Sequence, residues 1–444
     1  MTAFKSRWWS FSAVEHGLAL LVIITLGYDL WHLQTYGYFP QPFFYVPSDL
    51  WNDWFNTAYW SHHNGFFDVW GSVYPPLSPV FLKLFSSATC SEWSDPRRCD
   101  WLSIFTFHGF FVANLFLIAR SFLKIDRATA LPRSIALGTG LPMVFGLERG
   151  NLVIVCFTCL LLGYGPLLKS ARWRWVAAGL AVNFKVYLIA AIFAQIGLRR
   201  WRWFEGAVTA SVLVYVVTYL IEGSGTPIEI YRNIVDFSGG FQSVSILDLW
   251  YSGTYTPALS LLHGDGFPIT QIIGSQAINT LNFVLPALLH TVQASILVAF
   301  FCGWRCPQCV PRHRMVNFAV SLALITSEAG GYTQVFMFMF VFMERANTPL
   351  KIFALLVTYI LCIPADIILR GDTIVPLVND SFWAGRSVTV DYKLAVGPFL
   401  RPLLILSIPF ALSLTTIGDV WRLWRAERSG AKPEHDLGAL VPSG

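Results

Sequence analysis

The chain has 444 residues, 55% of them hydrophobic, 16% aromatic and only 13% charged, with a mean hydropathy of +0.54 and a formal net charge of +5. Soluble proteins carry roughly 25% charged residues, so this composition excludes an ordinary soluble domain and points to a polytopic membrane protein. The basic residues fall mainly in short connections that the positive-inside tendency assigns to the cytoplasm, which gives no reason to expect a nucleic-acid partner.

Taking apolar runs of ~20 residues as full spans and shorter ones as half-spans, we expect an all-α polytopic protein of about twelve transmembrane helices, several of them short. They form one membrane domain over residues 1–425, followed by a polar cytoplasmic tail, residues 426–444. Both termini then lie in the cytoplasm. The N-terminus lacks a small-residue cleavage site, so the first run is a retained span. It covers Val14 to Leu33, the second covers Trp101 to Phe122, and the long loop between them is external and carries interfacial helices. Ser134–Leu147 and Asn151–Leu168 follow as a hairpin whose outer turn is Glu148-Arg149-Gly150-Asn151. The run from Arg174 to Arg199 is basic at both ends with Lys185 in its middle. A single crossing would place one basic cluster outside, so two half-spans are expected, Trp175–Phe184 and Val186–Leu198.

Ala207–Ile221 leads to a second long external loop, residues 222–279, with Arg232, Asp236 and Asp248. Leu281–Cys302 returns to a basic turn, Met315–Thr326 and Val335–Met343 make a short hairpin with Tyr332 in its outer turn, and Lys351–Leu369 goes out again. Arg370–Lys393 is an external segment before the last span, Leu394–Ile417. Irregular backbone at membrane depth is tolerated only where it is buried or lines a wet cavity, so the short spans predict a cavity opening outward. Cys90 and Cys99 bracket a loop placed outside, where a disulfide is permitted. Cys302, Cys306, Cys309 and His313 have a spacing that fits zinc, but Cys302 falls inside a span and the loop is very short, so no metal site is assigned.

Candidate chemistry begins in the first loop, SDLWNDWFNTAYWSHHNGFFDVWGSVYPPLS. Asp49 and Asp53 stand four residues apart, which on a helix puts both carboxylates on one side. Either can serve as a general base for an acceptor hydroxyl; both can equally be solvated residues near a helix start. Lys185 lies inside an apolar run, where an ionisable group costs ~2.5 kcal/mol or more at the bilayer centre. It either binds an anion, phosphate being the natural one, or snorkels to the interface. Arg149 and Asn151 line a sugar or phosphate pocket, or Arg149 forms a locking ion pair with its neighbour Glu148. Arg232 and Arg386 add positive charge on the outer side, His62 and His63 are weak substrate or metal candidates, and Tyr74 precedes the chain-directing Pro75-Pro76.

The ordered set SDLWNDWFN, GFFDVWGSVYPPLS, ERGNLVI, NFKVYLIA and RRWRW resembles the membrane glycosyltransferases of fold class C, most closely glycosyltransferase family 87, whose members include polyprenyl-phosphate-mannose-dependent mannosyltransferases. The resemblance implies an Asp base in the first external loop, at a spacing from Gly65 and the Tyr-Pro-Pro element that fits Asp49 better than Asp53. It also implies that Lys185 contacts the lipid phosphate. The expected activity is transfer of a hexose or pentose from a polyprenyl-phosphate sugar to a lipid-linked or glycan acceptor, with inversion, at the periplasmic or external face of the plasma (inner) membrane. No cofactor is firmly implied, although a divalent cation would be compatible. The alternatives are a glycan polymerase or ligase using Arg232 and Arg386, and a glycolipid transporter or flippase.

Overall fold

A computed structural model of the chain describes residues 2–44, 46–239, 274–326 and 330–429. It is a mostly helical membrane protein. In chain order the helices are α1 (Thr2–Tyr36), α2 (Asn52–His62), α3 (Leu77–Phe85), α4 (Ala88–Ser91), α5 (Trp101–Ile125), α6 (Ala130–Thr139), α7 (Leu141–Arg149) and α8 (Val153–Tyr164). There follow α9 (Ala171–Phe184), α10 (Ile189–Gly197), α11 (Trp201–Glu222), α12 (Pro227–Gly239), α13 (Ser275–Arg305), α14 (Arg312–Thr326), α15 (Gln334–Val341), α16 (Pro349–Cys362) and, after a β-hairpin, α17 (Gly397–Ser429).

Among the described residues six helical segments are long and apolar enough to cross a membrane: Phe11–Tyr36, Trp101–Ile125, Ala130–Arg149, Trp201–Glu222, Ser275–Arg305 and Gly397–Arg428. Four more apolar helices are shorter, so the expectation of about twelve spans is met only in part. The long spans leave large apolar side chains such as Phe105, Phe116, Leu220 and Phe301 uncovered by protein, a surface that hydrocarbon covers at no cost. The short helices instead form the core, where Phe336, Phe338, Ile192 and Cys156 are fully enclosed.

The Arg174–Arg199 run folds as the expected hairpin. Helix α9 follows α8 antiparallel, because Arg174 near its start donates to the carbonyls of Gly163, Tyr164 and Gly165 at the end of α8 (2.9, 3.2 and 3.0 Å). Near the other end, Cys156 Sγ meets the Ala181 carbonyl at 3.4 Å. Gly179 lets α11 approach closely, since a Cβ there would lie 2.9 Å from the Ala210 carbonyl carbon, and Asn183 donates to the Ser211 carbonyl at 3.0 Å. The chain turns at Lys185 and a 3-10 turn, Val186–Leu188, and α10 returns it to Arg200. At 1.5 Å per residue α9 is only about 21 Å long, short of the ~30 Å hydrocarbon core, and Lys185 at its end is buried inside the protein.

Two expectations are corrected. Arg370–Lys393 belongs to an antiparallel hairpin, β1 (Ile368–Ser381) with β2 (Arg386–Ala395), in register Ser381↔Arg386 and Val378↔Thr389; its alternating β-branched residues suit a strand, not a loop. The last helix runs past Ile417 to Ser429 because Arg425 stacks on Trp421 and Arg428 on Trp424. The Cys-rich turn pairs Cys306 with Cys309, leaves Cys302 as a free thiol and turns His313 Nε2 to Glu344 at 3.1 Å, so the zinc spacing gathers no ligand set. Cys90 and Cys99 form a disulfide.

Candidate functional site

The site is built where the first loop meets the α7–α8 turn. Helix α7 ends on Gly150, which has a φ of +63° and closes the helix through hydrogen bonds to Gly146 and Leu147. The missing side chain matters twice, because a Cβ on Gly150 would also lie 2.8 Å from the carbonyl oxygen of Trp51. Trp51 itself has a φ of +64°, a conformation bulky residues avoid, and is held in it by donating its N–H to the Glu148 carbonyl at 2.8 Å.

That kink corrects the geometry of the acidic pair. Asp49 and Asp53 do not share a helix: Asp49 ends a 3-10 turn, Pro47–Asp49, and Asp53 lies in the first turn of α2, with Trp51 between them. They converge on Arg149 instead. Arg149 Nη2 donates to Asp53 Oδ1 at 2.5 Å and its Nη1 faces Asp49 Oδ2 at 3.4 Å. Asn151 donates from Nδ2 to Asp53 Oδ2 at 2.8 Å and accepts on Oδ1 from the Val153 N–H. Both oxygens of Asp53 are therefore engaged by strong partners. Asp49 keeps one long contact to Arg149 and one 3.0 Å bond from Asn52, and it is the more open of the two, at 30% against 22% side-chain exposure. Glu148 does not form the alternative ion pair with Arg149; one of its oxygens is buried without a hydrogen-bond partner.

Lys185 reaches the same end of the molecule, because α9 runs back toward the start of α8. The residue is 9% exposed. Its ammonium donates to the Tyr74 hydroxyl at 3.2 Å, lies 4.5 Å from that ring's centre and 5.9 Å from the ring of Tyr332. No carboxylate pairs with it among the described residues. Tyr332 packs edge-on against Phe145 of α7, ring centres 5.5 Å apart, so one run of contacts links Lys185 through Tyr332 and α7 to Arg149 and Asp49.

The other candidates lie elsewhere. His62 and His63 close the far end of α2, nine or more residues and about 14 Å from Asp53; His62 Nε2 bonds Ser86 and His63 Nε2 bonds Glu92. Arg232 is exposed on α12 and Arg386 is exposed at the start of β2. Asp236 is exposed too, and Asp248 falls outside the described residues.

Two features escaped the sequence reading. Arg97, in the disulfide-closed loop, donates from Nη1 to the carbonyls of Ser48 and Leu50, at 2.5 and 2.9 Å, and so clamps the turn bearing Asp49 from both sides. Its guanidinium is held by Asp95 and covered by the Phe382 ring at the tip of the β-hairpin. No spacing signals such a clamp, because it joins three distant segments. Asp29 in α1 is 1% exposed with both oxygens unpartnered; here the sequence did carry a signal, a carboxylate inside a span.

No family model, curated protein or solved structure matches this chain.

Proposed function

We propose that this protein is a glycosyltransferase that moves a sugar from a polyprenyl-phosphate donor to a hydroxyl of a lipid-linked or glycan acceptor at the outer membrane face. The observation that carries the reading is Lys185: a buried ammonium with a tyrosine hydroxyl and two ring faces for company, at the same end of the molecule as a carboxylate that is only half neutralised. An unpaired buried cation costs several kcal/mol, and an anionic ligand offsets that cost. A phosphodiester at membrane depth has the right charge.

In the reaction the acceptor oxygen attacks the anomeric carbon, its proton passes to Asp49, and the carbon–oxygen bond to phosphate breaks. Charge gathers on the departing polyprenyl phosphate beside Lys185. Asp53, locked by Arg149 and Asn151, is a positioning residue that holds the loop. This divides the labour between the two acids in the direction that the spacing to Gly65 and the Tyr-Pro-Pro element favours. The likeness of the ERGN and NFKVY segments to family 87 supports the same assignment. The polymerase or ligase alternative rested on Arg232 and Arg386, and nothing in their exposed positions favours it.

The test uses purified protein in detergent with a labelled polyprenyl-phosphate sugar and a lipid acceptor. Release of free polyprenyl phosphate is expected, which a transporter would not give. Asp49→Asn should lower the rate by ~100-fold or more. Lys185→Met should abolish most transfer without lowering the melting temperature. Full activity in Asp49→Asn would sink the assignment.

A further inference from the structure

The opposite end of the α8–α9 pair holds a second cationic feature, independent of the transferase reading. A pocket of about 50 Å³ opens between the end of α8, the α10–α11 junction and the start of α14, lined by Arg174, Arg200, Arg312, Gln195, Tyr164 and Trp203. No carboxylate lines it. In the pocket Arg174 and Arg200 are half-buried and Arg312 is exposed; elsewhere the buried and half-buried arginines face acids, Arg133 with Glu15, Arg149 with Asp49 and Asp53, Arg314 with Glu344, Arg401 with Asp366. Arg174 is spent on the carbonyls that end α8, where a cation also suits the negative end of the helix. The guanidiniums of Arg200 and Arg312 have no hydrogen-bond or ion-pair partner among the described residues.

Like charges this close repel, and burial together with Arg312 and Arg174 pulls Arg200 down to about 10, so it stays a cation at neutral pH. Two polar side chains in the lining are also unspent. Gln195 is 3% exposed and its amide bonds nothing among the described residues, and the Tyr164 hydroxyl is buried without a partner. Three arginines sharing a small space, with an idle amide beside them, form an arrangement that an anion completes. Guanidinium forks match the oxygens of a phosphate group better than a monatomic ion, and the volume fits one such group.

We propose that this pocket binds a phosphate group at the basic face of the protein, held by Arg200 and Arg312, with Gln195 as a neutral donor and Arg174 supplying field. The group comes either from a soluble phosphate ester or from the headgroup of an anionic phospholipid, and both sources use the same contacts.

The full-length protein, wild type and Arg200→Gln/Arg312→Gln, would be melted in detergent with and without inorganic phosphate. Both would also be melted in phosphatidylcholine discs with and without phosphatidic acid. The wild type should gain a few degrees on binding. The double variant should bind at least tenfold more weakly, the loss of one or two charge-assisted bonds. Unliganded, it should melt no lower than wild type, since the lost charges repelled each other. A response to inorganic phosphate assigns a soluble ester, and a response to phosphatidic acid alone assigns a headgroup. A wild type that answers neither, or a double variant that answers as wild type does, overturns the proposal. Should the glutamine pair fail to fold, Arg200→Lys/Arg312→Lys keeps the charges and loses the forks; unchanged binding in that variant would also refute it.

Discussion

The two ends of the α8–α9 pair treat their cations in opposite ways. At the Asp49 end Arg149 is neutralised by two carboxylates and braced by a glycine turn, and Lys185, which pairs with no carboxylate among the described residues, is a single ammonium under aromatic cover. At the basic end Arg200 and Arg312 stand beside Arg174 with no acid in their pocket. Charge that the fold needs for its own stability is paired; charge left unpaired at a pocket, on the half-buried Arg200 and the exposed Arg312, is available to a ligand. The same element pair thus shows which arginine serves the architecture and which do not.

Removing one guanidinium from each end gives the largest contrast. Arg149→Gln leaves Asp49 and Asp53 facing each other beside the buried Glu148. It should cost about 3 kcal/mol, the low end of the range for breaking a buried pair, because both carboxylates keep some water. Transfer should fall with it, since the loop loses its anchor. Arg200→Gln breaks no hydrogen bond and relieves repulsion, so its melting temperature should match or exceed that of wild type. Thermal melts of the two variants in the same detergent check both. Equal destabilisation would mean that Arg200 has structural partners after all.

Some of this was legible in the sequence and some was not, for definite reasons. The Lys185 hairpin was readable because basic clusters at both ends of one apolar run leave a single topology that keeps them on one side. The ERGN turn was readable as a site, but not why it needs glycine, since that depends on Trp51 arriving from a segment about a hundred residues away. The acidic pair was legible as a pair and misread as a helix, because Trp51 adopts a conformation that its residue type disfavours and tertiary contacts impose. The β-hairpin was passed over because strong helical signals on both sides set the expectation. The arginine pocket was invisible, since residues 174, 200 and 312 meet only through packing of three helices.

A smaller effect separates the residues that hold Asp49 from those that react. Arg97 spans the Asp49 turn by donating to Ser48 and Leu50, and the Cys90–Cys99 bridge closes the loop that presents it. Arg97→Gln should cost roughly 1.5–3 kcal/mol, the worth of a hydrogen bond to a charged group. Transfer should slow by about tenfold, and Arg97→Lys should recover part of it. Cys90→Ser should move both quantities in the same direction. A fall in rate with the pH profile unchanged marks positioning, whereas a shifted profile would show Arg97 acting on the charge of Asp49 itself.

The smallest effect lies at the far end of α2, where packing alone is at stake. Ser86 donates its hydroxyl hydrogen to the Leu82 carbonyl at 2.6 Å, so its oxygen accepts from His62 at 2.8 Å, and the imidazole carries its proton on Nε2. Burial chiefly, with the Lys83 and His63 charges adding, lowers the His62 pKa below its ordinary 6.5, while Asp100 opposes them. The unfolded chain therefore takes up a proton near pH 6.5 while the folded protein resists. Stability contributed by His62 is complete above that pH, falls as pH drops from 6.5 through the folded value, and levels off once both states are protonated. Melting temperature should show this decline, and His62→Gln should remove that portion of it while leaving transfer at neutral pH intact. A loss of transfer in His62→Gln would instead place the imidazole within reach of the substrate, and the separation between a reacting end and a packing end of α2 would have to be redrawn.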